Sequence, residues 1–190
     1  MKKIFSVAFL LGAATVANAA ITVSLAGTTP VGSEFKYDYE LSLTSDDSIR
    51  SPNDFFVVTD FAGYVNGSAL FPTGWSFSYD LSGPLPSCCG TPGVDAPTVG
   101  NLVFKYNTGG PALNAPPNAA NTIISGFSAR SIFGLTAEAG FAVDNTKNRN
   151  NSNQGSGGFV DVPVGVPEPA TMGLMGGALL GLGLLARRRK

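Results

Sequence analysis

Histidine is absent from the 190-residue chain, and that gap removes more chemistry than any other. Without imidazole there is no Ser-His-Asp triad, no Cys-His nucleophile pair and no histidine-bearing zinc site. Charge is also scarce, at 13% of residues with a net of −1. A nucleic-acid binder needs a strong basic excess, so none is expected here. With 44% hydrophobic residues, the composition is not that of a disordered solvating chain. The two cysteines are adjacent, Cys88 and Cys89, too few for a disulfide framework. There is no P-loop glycine pattern and no Asp-x-Asp-x-Asp-Gly calcium loop. No cofactor and no metal are expected. No internal repeat and no sustained helical periodicity with caps are found in the body of the chain.

What is present is unevenly distributed, and both ends carry membrane-directed segments. Residues 1–19 begin with Lys2 and Lys3, continue through an apolar run from Ile4 to Val16, and end in Ala17-Asn18-Ala19. That order is the layout of a secretory signal peptide with cleavage after Ala19, so that the mature chain starts at Ala20. At the other end, residues 171–186 hold no charge and are followed by Arg187, Arg188, Arg189 and Lys190. As a helix this stretch reaches only about 24 Å, short of a hydrocarbon core of about 30 Å. Snorkelling arginines and local thinning cover the difference, and the basic cluster keeps that end cytoplasmic. Gly173, Gly177 and Gly181 form a small-residue stripe on which another helix can pack closely.

Just ahead of that span stands Pro167-Glu168-Pro169. The Pro-Glu-Pro box, the Gly/Leu-rich span and the terminal basic cluster, in that order over residues 166–190, resemble the PEP-CTERM sorting domain. No LPxTG-like box precedes the span, and a GPI signal would lack the arginines. The resemblance implies a Gram-negative bacterial protein that an exosortase recognises while the inner membrane holds it transiently. The tail would be removed near Pro167–Pro169 and the body passed to the cell surface or extracellular matrix. The motif residues would then be substrate features, not catalysts. Two prolines hold an extended backbone, the shape a protease-like cleft accepts.

The intervening body, residues 20–165, carries six basic and twelve acidic residues. It is therefore an acidic exported domain. Its dominant period is two: Phe35, Tyr37, Tyr39, Leu41 and Leu43 alternate with polar residues, as do Trp75, Phe77, Tyr79 and Leu81. Further strands are expected at Ile21–Leu25, Phe55–Phe61, Leu102–Tyr106, Thr122–Phe127, Ala137–Val143 and Phe159–Val164. Turn clusters are expected at Gly27–Gly32, Ser45–Asp54, Ser82–Gly100 and Asn107–Asn121. The polar run 145–158 reads as a long mobile hairpin loop or a linker. Together these predict an all-β, antiparallel β-sandwich of jelly-roll type. Phe61–Val65 and Pro72–Phe77 are similar to segments of domains found upstream of this sorting signal, a likeness that implies no activity.

Candidate chemistry in the body is sparse. Cys88 and Cys89 form a vicinal disulfide, remain thiols, or serve an intermolecular link or metal. Asp46, Asp47, Asp54, Asp60, Asp80, Asp95 and Glu138 are scattered, and no two are brought together by spacing as a glycosidase requires. They read as solvated turn residues and caps. Trp75 is the best candidate for stacking on a sugar, although its alternation with Phe77 and Tyr79 favours the core. The expected role is non-enzymatic: a structural or adhesive surface protein associated with exopolysaccharide or biofilm. A carbohydrate-binding module is the alternative, and a carboxylate-dependent secreted hydrolase the less favoured one.

Overall fold

A computed structural model of the chain describes residues 21–50, 52, 54–84, 95–107, 112–114 and 121–165. Every element there is a β-strand and every pairing is antiparallel. Ten strands run in chain order. They are β1 (Thr22–Val31), β2 (Glu34–Leu43), β3 (Asp47–Ile49), β4 (Phe55–Val58), β5 (Trp75–Asp80), β6 (Asn101–Tyr106), β7 (Leu113–Asn114), β8 (Thr122–Ser131), β9 (Leu135–Lys147) and β10 (Asn153–Val164).

They form a three-stranded sheet, β1-β2-β8, and a seven-stranded sheet, β5-β6-β4-β9-β3-β7 with β10 paired to β9. Three strands against seven is not the eight-strand arrangement of a jelly roll. The imbalance comes from β9, long enough to pair β10 along one edge and both β4 and β3 along the other.

The core follows from the two-residue period. On β2 the alternate residues Tyr37, Tyr39, Leu41 and Leu43 are all fully buried. They meet residues from the larger sheet in one cluster. Its aromatic centre joins the layers: Phe127 on β8 lies 4.8 Å from both Phe56 and Trp75, edge to face, and Phe56 stacks on Phe104 at 4.8 Å. Such geometries are worth about 0.5–1.5 kcal/mol each beyond area burial. Trp75 is thus a core residue. Strand β4 is apolar on both faces because a second cluster, Phe55, Val57 and Val103, is buried on the far side. Gly83 lies over Val57, and a Cβ there would sit 3.0 Å from it.

Two expected loops are strands. The Gly27–Gly32 cluster is the second half of β1, which tolerates Pro30 because β1 is an edge strand. Gly27 adjoins a bulge, and the turn is confined to Gly32 and Ser33, with Gly32 at φ 63°. The polar run 145–158 is the distal part of the β9–β10 hairpin. Residues 145–147 and 153–158 are paired strand, and only 148–152 form the loop. The Ser45–Asp54 cluster likewise contains β3.

The polarity of the 145–158 run has a structural cause. Side chains at its start, Asn145, Lys147 and Asn148, bond to the β3 arch. Lys147 Nζ lies 2.6 Å from Asp47 Oδ1, and Asn145 Nδ2 donates to the same oxygen at 2.8 Å. Thr44 Oγ1 donates to the other Asp47 oxygen. Asn148 Nδ2 donates to the Asp47 carbonyl at 3.1 Å, and Arg50 reaches Asn148 and Asn151 through its guanidinium. Asn151 takes the left-handed φ of 54° that the short turn needs. Asp47 is therefore a fully buried ionic anchor, not the solvated turn residue its sequence context suggests.

Removing the cation from this anchor leaves a buried carboxylate with only neutral donors. Lys147→Ala is expected to cost about 3–5 kcal/mol. Arg149→Ala, which breaks the exposed pair to Asp46, should cost less than about 1 kcal/mol. Urea unfolding midpoints of the two variants check the contrast, and equal losses would refute it.

Candidate functional site

The residues with expected sorting roles lie outside the described residues. These are Ala17, Ala19 and Ala20, Pro167, Glu168 and Pro169, the Gly173, Gly177 and Gly181 stripe, and Arg187 to Lys190. Cys88 and Cys89 do as well. What the structure shows is the surface that leads to the sorting segment, and the chemistry of the body.

The chain leaves the body along β10. Its last ladder pair is Val164 with Leu135, three positions before Pro167. That end of the body is held by hydrogen bonds between four segments. Ala62 N donates to Pro163 O at 3.2 Å and Ile132 N to Gly63 O at 3.0 Å. Ser131 Oγ donates to Ala62 O at 2.7 Å, and Tyr37 Oη to Phe133 O at 2.8 Å. The Phe133 ring packs beside Gly63 and Gly165, where a Cβ at Gly63 would lie 2.6 Å from it. Gly63 also has φ 66°, so this close approach needs glycine twice over.

A groove opens at the free edge of β5. Tyr64, Asn66, Gly67, Phe77, Ser78 and Tyr79 line a volume of about 510 Å³. Tyr64 and Tyr79 stack at 4.5 Å. The Tyr79 hydroxyl donates to Phe61 O at 3.1 Å and accepts from Gly100 N at 3.2 Å. Gly100 makes room for this ring, since a Cβ there would come 2.3 Å from it. Burial pushes the Tyr79 hydroxyl above its ordinary pKa. The sequence offers Trp75 as the best candidate for stacking on a sugar while its alternation favours the core, and the core is where Trp75 lies. The one-residue alternation on β5 was visible, but which of its aromatics lies near the sheet edge depends on the tertiary packing.

The carboxylates separate into three settings. Asp54 is buried, and accepts from Arg50 N at 2.7 Å and from Thr146 Oγ1 at 3.1 Å. Burial pushes its pKa up to about 6, against those hydrogen bonds, with nearby Asp144 adding to the rise. Asp60 and Asp95 flank Asn101: Asn101 Nδ2 donates to Asp95 Oδ2 at 3.1 Å, and Ala96 N to Asp60 Oδ1 at 2.8 Å. Burial raises the Asp60 pKa first, with the Asp95 charge adding to it. Glu138 stands directly opposite Asp161 on the β9–β10 ladder. The fold thus brings one exposed carboxylate pair together, on a partner residue the spacing gave no reason to choose. Both are exposed. No group of three or more candidate metal ligands occurs among the described residues, and no helix there is long and apolar enough to cross a membrane.

The raised Asp54 pKa carries a sign. The folded state binds this proton more tightly than the unfolded chain, where the value is near 3.8. The stabilisation is fully present below pH 3.8 and is lost as pH rises through 6. Between pH 7.5 and 5.0 the wild type should therefore gain about 1.4 kcal/mol relative to Asp54→Asn. Thermal melts of both proteins across that range measure it, and parallel pH dependences would contradict the buried-carboxylate reading.

No curated protein matches the chain. Residues 165–190 match the family model of the PEP-CTERM protein-sorting motif. The match begins one residue beyond the last ladder pair of β10, and it covers the Pro-Glu-Pro box, the uncharged stretch and the basic cluster together. Its motif marks a chain for export and membrane-anchored sorting in bacteria, with an exosortase as the processing partner. The chain thus carries a PEP-CTERM protein-sorting motif over residues 165–190, an exosortase-targeting signal that directly follows the all-β body.

Proposed function

We propose that this chain is a non-enzymatic surface protein of a Gram-negative bacterium. It is exported by a signal peptide cleaved after Ala19 and held briefly in the inner membrane by residues 171–186. An exosortase then releases it to the cell surface or matrix. The observation that carries the reading is the sorting motif at 165–190, joined to a rigid all-β body without an intervening domain. The body is the cargo, a β-sandwich ectodomain with a structural or adhesive role linked to exopolysaccharide. An absent histidine and the structural burial of Asp47 and Asp54 favour such a role over hydrolysis.

The β5-edge groove favours a second reading, that the body binds polysaccharide directly. A pre-positioned tyrosine pair flanked by Asn66 and Ser78 offers an apolar plate beside hydrogen-bonding groups, the two things a pyranose presents in return.

Replacing Pro167, Glu168 and Pro169 by alanines should leave the full-length protein in the inner membrane with its basic tail attached. Immunoblots against both ends of fractionated cells read this out, and wild-type processing would reject the sorting role. For the second reading, Tyr64→Ala should weaken retention on the host's own exopolysaccharide about tenfold, the effect of losing about 1.4 kcal/mol of ring contact. Equal retention of variant and wild type would remove the groove from consideration.

A further inference from the structure

The sorting segment is tied to the body by a short lead. From Val164, the last paired residue, to Pro167 is three positions, at most about 10 Å of fully extended chain. An enzyme that reads Pro167–Pro169 must bring its own surface to the end of the β-layers. That end consists of the β1–β2 turn, closed by the Val31–Glu34 pair, the β8–β9 connection at 132–134, and the Leu135–Val164 pair. Phe35 pairs with Ser131, which places the two turns side by side. The Phe35 ring packs beside Gly134, where a Cβ would lie 2.5 Å from it.

Large aliphatic side chains are exposed on this end. Ile132 is 58% exposed, Leu135 57% and Val31 40%. They stand on backbone already fixed by the bonds from Ile132 to Gly63 and from Tyr37 to Phe133. A partner would therefore bury apolar area without ordering the chain first. The bilayer is a poorer match for this surface. The uncharged stretch begins at Thr171, leaving about 25 Å of extended chain between the body and the membrane, whereas the motif's reader stands within about 10 Å.

We propose that this end, through Ile132, Leu135 and Val31, is a docking surface for the exosortase that processes the tail. It acts as a second recognition element beside Pro-Glu-Pro. The proposal rests on the sorting reading above. The contact raises the local concentration of the motif at the enzyme's cleft, so it governs the rate of processing, and Pro-Glu-Pro governs whether processing occurs at all.

The test follows tail removal from the full-length chain in its host by pulse-chase. Ile132→Ser with Leu135→Ser is expected to lengthen the precursor's half-life about tenfold, the effect of losing part of the burial of two aliphatic side chains. Ile123→Ser, equally exposed at 60% but at the far end of the β2–β8 ladder, should process at the wild-type rate. A photo-crosslinking residue in place of Ile132 should capture the exosortase, identified by mass spectrometry. Wild-type kinetics in the double variant, equal slowing by Ile123→Ser, or adducts with lipid alone would overturn the docking surface. The alanine replacement of Pro167–Pro169 separates the two claims. If it blocks processing while the double variant is normal, only the docking surface falls. If it is processed normally, the sorting reading falls with it.

Discussion

The β9–β10 ladder is the constraint on which the rest of the molecule depends. Twelve consecutive pairs, from Asn153 with Thr146 to Val164 with Leu135, run without a register break. At one end the ladder carries the loop that buries Asp47 through Lys147 and Asn145. In the middle, Phe141, Val143, Val160 and Val162 feed the shared core. At the other end it delivers the chain to the sorting motif. One hairpin therefore couples the ionic anchor, the hydrophobic core and the exit point. The strand that leads to the tail is part of the folded body up to the residue before the matched sorting segment.

The ladder also explains how a small acidic domain is held together with few charges. The smaller sheet has three strands, and its apolar face needs a second layer to bury it. It is stabilised by facing the larger sheet through Phe127, which contacts Phe56, Trp75 and Phe104. Several polar side chains that enter the interior bond to the backbone of β9 or of the segment beside it. Thr59 Oγ1 donates to Gly140 O at 2.8 Å, and Ser48 Oγ to Thr146 O at 2.8 Å. These bonds fix β3 and the end of β4 against β9, where the two short strands would otherwise have few partners.

Much of this was legible in the chain. The alternation through Phe35–Leu43 and Trp75–Leu81 gives the strands and their buried faces, because side-chain direction in a strand depends only on local geometry. The sorting signal was legible for a similar reason, since its three parts are contiguous. What was not legible depends on partners far away in sequence. Gly27–Gly32 looks like a turn unless β1 is known to be an edge strand. The Asn/Gly/Ser run after Asp144 looks like a linker unless its amides are known to meet Asp47, about a hundred positions earlier. Asp161 drew no notice until β10 placed it opposite Glu138. Composition marks these segments as polar, and only the tertiary contacts tell a bonded polar strand from a solvated loop.

The central claim is that the body is cargo and the tail its removable address. Intact-mass spectrometry of the protein recovered from the host's surface or matrix tests it most directly. The account predicts a mass for a chain that starts at Ala20, retains β10 through Val164, and has lost Arg187, Arg188, Arg189 and Lys190. Surface protein that still carries the span from Thr171 to Lys190 would contradict it.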